Sequence, residues 1–121
     1  MKYEKFTLDQ IDAFVFDFDG VLTNNIVHLD QDGRELVSCS RADGLAFDVL
    51  RTLNKPALIL STEKNPVVSE RAKKLKVNVL QGVSNKVDAI HELVKAKGFN
   101  IEKIFYVGND LNDYRAMKLC K

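Results

Sequence analysis

Phe14-Val-Phe-Asp-Phe-Asp-Gly-Val-Leu-Thr23 is the stretch from which the fold can be read. It opens as an apolar, strand-like segment and ends in two carboxylates, Asp17 and Asp19, followed by Gly20. A strand sends alternate side chains to opposite faces, so aspartates at this spacing share one site only where the strand ends and the chain turns. Gly20 permits that turn and lets backbone approach a ligand closely. In open α/β sheets the ligand crevice lies beyond the carboxyl ends of the strands, where this pair falls. The competing reading is a helix cap or an Asx turn after a strand.

Outward from that run, β-rich segments alternate with helical patterns, the signature of a parallel α/β sheet. The predicted strands are Ala13–Phe16, Ala57–Leu60, Val77–Leu80 and Ile104–Val107. They lack a regular polar alternate, as expected when helices cover both sheet faces, so a three-layer, Rossmann-like arrangement follows. Leu45, Val49, Leu50 and Leu53 have helical spacing, as do Val68, Ala72 and Leu75, and Val87, Ile90 and Val94. Asn65 then Pro66 reads as N-cap and first helical residue, and Gly98 suits a C-terminal cap. One segment breaks the alternation. Ile26–Leu29 and Glu35–Ser38 flank Asp30-Gln-Asp-Gly33, a hairpin signal spanning about residues 25–39. An isolated hairpin is barely stable in water, so this one must pack on something.

Length and composition bound the rest. At 121 residues, 45% apolar and 29% charged, the chain has room for one globular domain, 1–121, with a modest core. Lys and Arg number 18 against 17 Asp and Glu, a balance that argues for neither nucleic acid nor membrane as partner. Cys39 and Cys120 have no close spacing and no signal peptide precedes them, which fits a reducing cytoplasm. His28 and His91 stand alone, without metal-ligand spacing.

The Asp17–Thr23 run resembles the first signature of the haloacid dehalogenase (HAD) superfamily, Asp-x-Asp-Gly-[Val/Thr]-Leu-Thr. The resemblance implies that Asp17 is the nucleophile that takes a phosphoryl group. Asp19 would be the acid/base that protonates the leaving oxygen and then activates water. An aspartyl-phosphate splits one hard displacement into two easier ones, and a second carboxyl moves the protons. Three further stretches are similar to the remaining signatures, in order. Leu58-Ile-Leu-Ser61-Thr62-Glu63-Lys64 would, by the resemblance, supply a hydroxyl, Ser61, to the phosphoryl group, with Thr62 where many members have glycine. Lys86, at the start of a predicted helix, would offset charge on carboxylate and phosphoryl group. Ile104-Phe-Tyr-Val-Gly-Asn-Asp-Leu-Asn-Asp113 matches the acidic fourth signature. There Asp17 and Asp110 would bind Mg²⁺ with the Asp19 carbonyl, and Asp113 would hold a metal-bound water or orient Lys86. The resemblance also implies that Gly20, Thr62, Arg41 and Asn109 are substrate-side positions. Arg41 suits a sugar-acid carboxylate or a phosphate, and Asp43 equally suits the cap of the helix near Leu45.

The chain has no room for a cap domain, and so looks like the capless HAD branch. That branch contains 3-deoxy-D-manno-octulosonate 8-phosphate phosphatases, nonulosonate 9-phosphate phosphatases and a domain attached to acylneuraminate cytidylyltransferases. The resemblance implies Mg²⁺-dependent hydrolysis of a small sugar phosphate from sialic acid or lipopolysaccharide synthesis. It also implies a homotetramer built by the hairpin, in which a neighbouring subunit closes the site; the alternative is a hairpin that extends the sheet edge of a monomer. Asn109 replaces the first aspartate of the octulosonate group's Gly-Asp-Asp, which points to the cytidylyltransferase-associated members. Those members include the competing functional class, a non-catalytic oligomerisation module. Members of the branch continue well beyond the fourth signature, whereas this sequence stops at Lys121, inside the helix expected after Asp113. A trimmed or shortened core is expected there, with an exposed sheet edge that favours association.

Overall fold

A computed structural model describes residues 5–121. In chain order its strands are β1 (Ala13–Phe16), β2 (Thr23–Leu29), β3 (Glu35–Cys39), β4 (Ala57–Leu60), β5 (Asn78–Leu80) and β6 (Ile104–Val107). The helices are α1 (Ala42–Thr52), α2 (Val67–Leu75), α3 (Lys86–Lys97) and α4 (Leu111–Leu119). Four strands form a parallel sheet in the order β5-β4-β1-β6. The expected α/β architecture with a parallel sheet is therefore what the chain adopts. From β1 the chain steps outward through β4 and β5, then returns to place β6 on the other side of β1. The order reverses at β1, and at such a point the loops splay apart and leave a crevice.

Helices cover both faces. Ala13 and Val15 of β1, Leu60, Ile104 and Tyr106 pack against Ile90 of α3 and Ala116 of α4. On the opposite face Ile59 packs with Phe18, Leu22, Phe47 of α1 and Val68, Ala72 and Leu75 of α2. Adjacent residues Ile59 and Leu60 are both fully buried on opposite faces, as expected of a strand sandwiched between helix layers. Each such side chain contributes about 1.5–3 kcal/mol.

The predicted boundaries hold to within a few residues, and the shifts have local causes. β5 starts at Asn78, not Val77, because the Val77 amide donates to Ala72 O at 3.0 Å in the left-handed termination of α2 at Lys76. α2 begins at Val67 and Pro66 is already helical in φ and ψ; Asn65 Oδ1 accepts the Val67 N–H at 3.0 Å, which is the capping expected of it. Asn85 caps α3 through the Asp88 amide, and Gly98 ends it at φ 70°. Asp43 is not the cap of α1. The Ala42 amide is taken by the Ser40 hydroxyl at 3.2 Å instead, and Asp43 stands in the first turn.

β2 and β3 form a two-stranded antiparallel sheet of their own, so the hairpin does not extend the edge of the main sheet. Its turn is fixed by Asp30, whose Oδ1 accepts the amides of Asp32 and Arg34. Val37 and Cys39 anchor it on the Phe18 and Leu22 cluster. Ile26, Val27, Leu29 and Leu36 remain exposed. The chain does not end inside a helix: α4 stops at Leu119, and Lys121 exchanges two 2.8 Å backbone bonds with Ile104 O and Tyr106 N on the outer edge of β6. Among the described residues, no helix is long and apolar enough to cross a membrane.

Candidate active site

Asp17 follows β1 directly, and its amide still pairs with Val107 O of β6 at 2.9 Å. That pairing holds the side chain at the carboxyl end of the sheet, 5% exposed. Its Oδ1 accepts the Phe18 N–H at 2.8 Å and the Lys86 ammonium at 3.0 Å. Among the described residues no donor reaches Oδ2, so one carboxylate oxygen is fixed and the other is unengaged.

Lys86 is the first residue of α3 and is itself buried. Its Nζ bridges Asp17 and Asp113 Oδ1, the latter at 2.6 Å. A cation at a helix N-terminus opposes the macrodipole, and the two buried carboxylates supply the compensating charge. Asp113, with no exposed surface, also accepts the Tyr106 hydroxyl at 2.6 Å on Oδ1, and the amides of Asn109 and Asp110 at 3.2 and 3.4 Å on Oδ2. Asp113 thus pairs directly with the Lys86 ammonium.

Burial is the largest influence on Asp17 and pushes its carboxyl up to about 6; the Lys86 hydrogen bond and charge pull the other way. Burial also acts to raise Asp113, but hydrogen bonds from Lys86 and Tyr106 outweigh it and hold that carboxyl below the ordinary range. Burial, then donation to Asp113 and its charge, drive the Tyr106 phenol far above its usual value, so it stays a protonated donor.

Asp19 lines a cavity of about 170 Å³ between the hairpin and the loop after β4, with Asn25, Glu35, Glu63 and Asn65 among its walls. Burial first, then the charges of Glu63 and Glu35, raise its carboxyl, which favours keeping a proton to donate. Gly20, at φ 79°, presses against the Asn109 carboxamide so closely that a Cβ would collide with Nδ2. The loops after β1 and β6 thus meet without a gap. Gly20→Ala should combine left-handed strain with displacement of Asn109, lowering stability by about 1–3 kcal/mol in urea unfolding.

Ser61 directly follows β4 and is buried; its hydroxyl accepts the Glu63 amide at 3.1 Å, which leaves its own proton to donate. Thr62 is exposed and faces α4, where Asn112 Nδ2 donates to its hydroxyl at 3.5 Å. Asp110 caps α4: its Oδ1 accepts the Leu111 amide at 2.6 Å. The helix-cap reading therefore holds for Asp110, alongside whatever else its second oxygen does. Arg41 is exposed at the head of α1, and among the described residues its side chain makes no hydrogen bond to the Asp17 cluster.

Asp17, Asp19, Ser61, Lys86, Asp110 and Asp113 accordingly come from the ends of β1, β4 and β6 and the heads of α3 and α4. Among the described residues, no three His, Cys, Asp or Glu side chains are clustered to hold a metal unaided. The donors that suit a hard cation are Asp17, Asp110 and the Asp19 carbonyl, the kind of sparse oxygen set that Mg²⁺ accepts when water and phosphate complete its shell. Sequence reasoning missed Tyr106 and the acidic wall of Glu35 and Glu63. Register was the available signal for Tyr106, since it lies beside Val15 and on the face shared with Ile104.

No family model matches the chain. It is 31% identical over 111 residues to the 3-deoxy-D-manno-octulosonate 8-phosphate phosphatase KdsC of Salmonella typhi; this covers 91% of the chain and 59% of that relative. The chain thus spans less than two thirds of the curated relative's length. A crystal structure from Streptomyces avermitilis described as a HAD family hydrolase superposes with TM-score 0.91 at 47% identity, over 94% of this chain and 66% of that one. The 3-deoxy-D-manno-octulosonate 8-phosphate phosphatase of Moraxella catarrhalis, crystallised with magnesium, phosphate and the sugar acid KDO, superposes with TM-score 0.86 at 28% identity, over 92% and 64%. Sequence identity and superposition agree, and the chain belongs to the HAD superfamily, among its capless relatives of 3-deoxy-D-manno-octulosonate 8-phosphate phosphatase.

Proposed function

We propose that this chain carries a Mg²⁺-dependent phosphomonoesterase that works through an aspartyl-phosphate on Asp17. The observation that supports it most directly is the asymmetry of that carboxylate, with Oδ1 held by Lys86 and Phe18 and Oδ2 unengaged. Oδ2 attacks phosphorus in line with the ester oxygen, and Asp19 gives that oxygen its proton as the P–O bond breaks. Lys86 has three N–H donors, of which two are engaged, and the third with the Ser61 hydroxyl serves the equatorial phosphoryl oxygens. Asp19, now ionised, takes a proton from water, which attacks phosphorus and frees Asp17 with release of phosphate. Mg²⁺ bound by Asp17, Asp110 and the Asp19 carbonyl would supply charge neutralisation for the transferred group.

The substrate we propose is the phosphate ester of an eight- or nine-carbon sugar acid, octulosonate 8-phosphate or a nonulosonate 9-phosphate. The Moraxella relative, crystallised with KDO, supports this class. The cavity beside Asp19 sets Asn25, Asn65, Glu35 and Glu63, which suit sugar hydroxyls, against apolar walls of Ile26, Val27, Val37 and Val67, and its acidic side chains disfavour the sugar carboxylate there. The exposed apolar residues of the hairpin support assembly into a homotetramer, since a hairpin with Leu29 69% and Leu36 65% exposed gains by covering them.

Phosphate release from a panel of sugar phosphates tests the reading, with Mg²⁺ present and after chelation. Turnover of the sugar-acid phosphates that disappears on chelation is expected; a panel without turnover in Mg²⁺ removes the proposal. Mg²⁺ alone should also raise the melting temperature, because a ligand of the folded state stabilises it by mass action. A sizing column that returns a clean monomer would remove the tetramer.

A further inference from the structure

Tyr106 lies beneath the site and takes no part in the steps above. β6 delivers it to the α3 and α4 face of the sheet, where it is 4% exposed and its hydroxyl donates to Asp113 Oδ1 at 2.6 Å. The same oxygen receives the Lys86 ammonium, also at 2.6 Å, whereas Asp17 holds that ammonium at 3.0 Å. Lys86 is therefore shared between two carboxylates, and Asp113 has the shorter hold. We propose that Tyr106 is a positioning residue, whose hydroxyl takes up part of the negative charge on Asp113 so that Asp113 orients Lys86 without drawing it away from Asp17 and the phosphoryl group. The inference rests on the phosphatase reading for its consequence in turnover.

The physical basis is competition inside a water-poor site. A carboxylate oxygen that accepts two donors attracts each less than it would attract one alone, and the low local dielectric magnifies the difference. Asp113 Oδ2 cannot relieve Oδ1 by rotation, because the amides of Asn109 and Asp110 pin it in place. Its Cβ and carboxyl also fill the space beside Gly108, where any side chain would collide with them. The carboxylate therefore stays put, and only the balance of charge on Oδ1 decides where Lys86 sits. Loss of the phenol oxygen leaves Lys86 as the sole donor to that oxygen and shifts the ammonium toward Asp113.

Tyr106→Phe keeps the ring in the core and removes only the hydroxyl. The expected result is a fall in kcat of about tenfold, the equivalent of one hydrogen bond, with KM within about twofold. In an Asp113→Asn background the charge to be tempered is gone, so adding Tyr106→Phe should cost nothing more in kcat. A role confined to packing predicts instead that the two losses multiply. The ammonium ¹⁵N signal of Lys86, observed in metal-free protein, should shift in Tyr106→Phe but not when the same change is made over Asp113→Asn. That readout stands whether or not any phosphate ester turns over, so it separates failure of this inference from failure of the phosphatase reading. An unmoved Lys86 signal in folded Tyr106→Phe, or a multiplicative cycle, overturns the proposal.

Discussion

Asp17→Asn abolishes phosphate release while the protein stays folded: that is the largest effect expected, at least about 10³-fold in kcat, because the attacking oxygen itself is lost. The fold survives for a reason visible in the native protein. Burial raises the Asp17 carboxyl to about 6 against an ordinary 3.8, so its ionised form is disfavoured by the folded state. The sign follows from linkage: a group whose folded pKa is raised contributes stability at low pH that is lost as pH rises through the folded value. A neutral amide escapes that loss, so Asp17→Asn should melt no lower than wild type at pH 7. The same pKa gives a signature of metal binding. Near pH 6 the metal-free protein holds roughly half a proton on Asp17, which a cation must displace. Calorimetry in buffers of different ionisation enthalpy should find proton release on Mg²⁺ addition at pH 6, little at pH 8, and none at either in Asp17→Asn. Phosphate release by Asp17→Asn at the wild-type rate would refute the covalent mechanism.

Lys86→Met has the largest expected effect on stability. The substitution keeps the aliphatic stem and removes the charge that separates Asp17 from Asp113, both of them buried. Leaving buried charge without its partner costs about 3–5 kcal/mol, whereas removing both members of a pair costs much less. Urea unfolding at pH 7 should show that loss, and Lys86→Met/Asp113→Asn should recover part of it. Without the ammonium both carboxyls titrate higher in the folded state, so the deficit is greatest at neutral pH and shrinks as pH falls toward 5. A Lys86→Met protein as stable as wild type at pH 7 would mean the ammonium compensates nothing.

Much of this is legible in the sequence. The strand ends could be placed because Phe14–Phe16 and Leu58–Leu60 are apolar runs stopped by Asp17 and Ser61, and Ile104–Val107 by Gly108 and Asn109, and in a parallel sheet those stops share one edge. Lys86 stood out because a cation at a helix start needs a reason. Less legible were features that depend on which oxygen meets which donor. Asp113 could be read as a water-holding group or as a partner of Lys86, and its spacing from Asp110 is the same in either case. Tyr106 reads in sequence as one more apolar strand residue, since only the tertiary fold brings its hydroxyl to Asp113. Arg41 suits an anion by residue type, yet among the described residues its side chain makes no hydrogen bond to the Asp17 cluster. The separate hairpin sheet was equally hidden, because local turn chemistry specifies a hairpin but not the surface on which it rests.

The pairing of Lys86 with Asp17 joins positions 69 residues apart, and Asp17 is held in place by the hydrogen bond that its amide donates to Val107 O, still further along the chain. Contacts of such long range form only after loop-closure entropy has been overcome, and parallel sheets assemble slowly for that reason. The site should therefore complete late in folding, after α3 and the hairpin, whose own contacts are local. Phosphate or a divalent cation added during refolding should slow unfolding without hastening the folding step, and the recovery of their binding marks the moment when β6 has closed against β1.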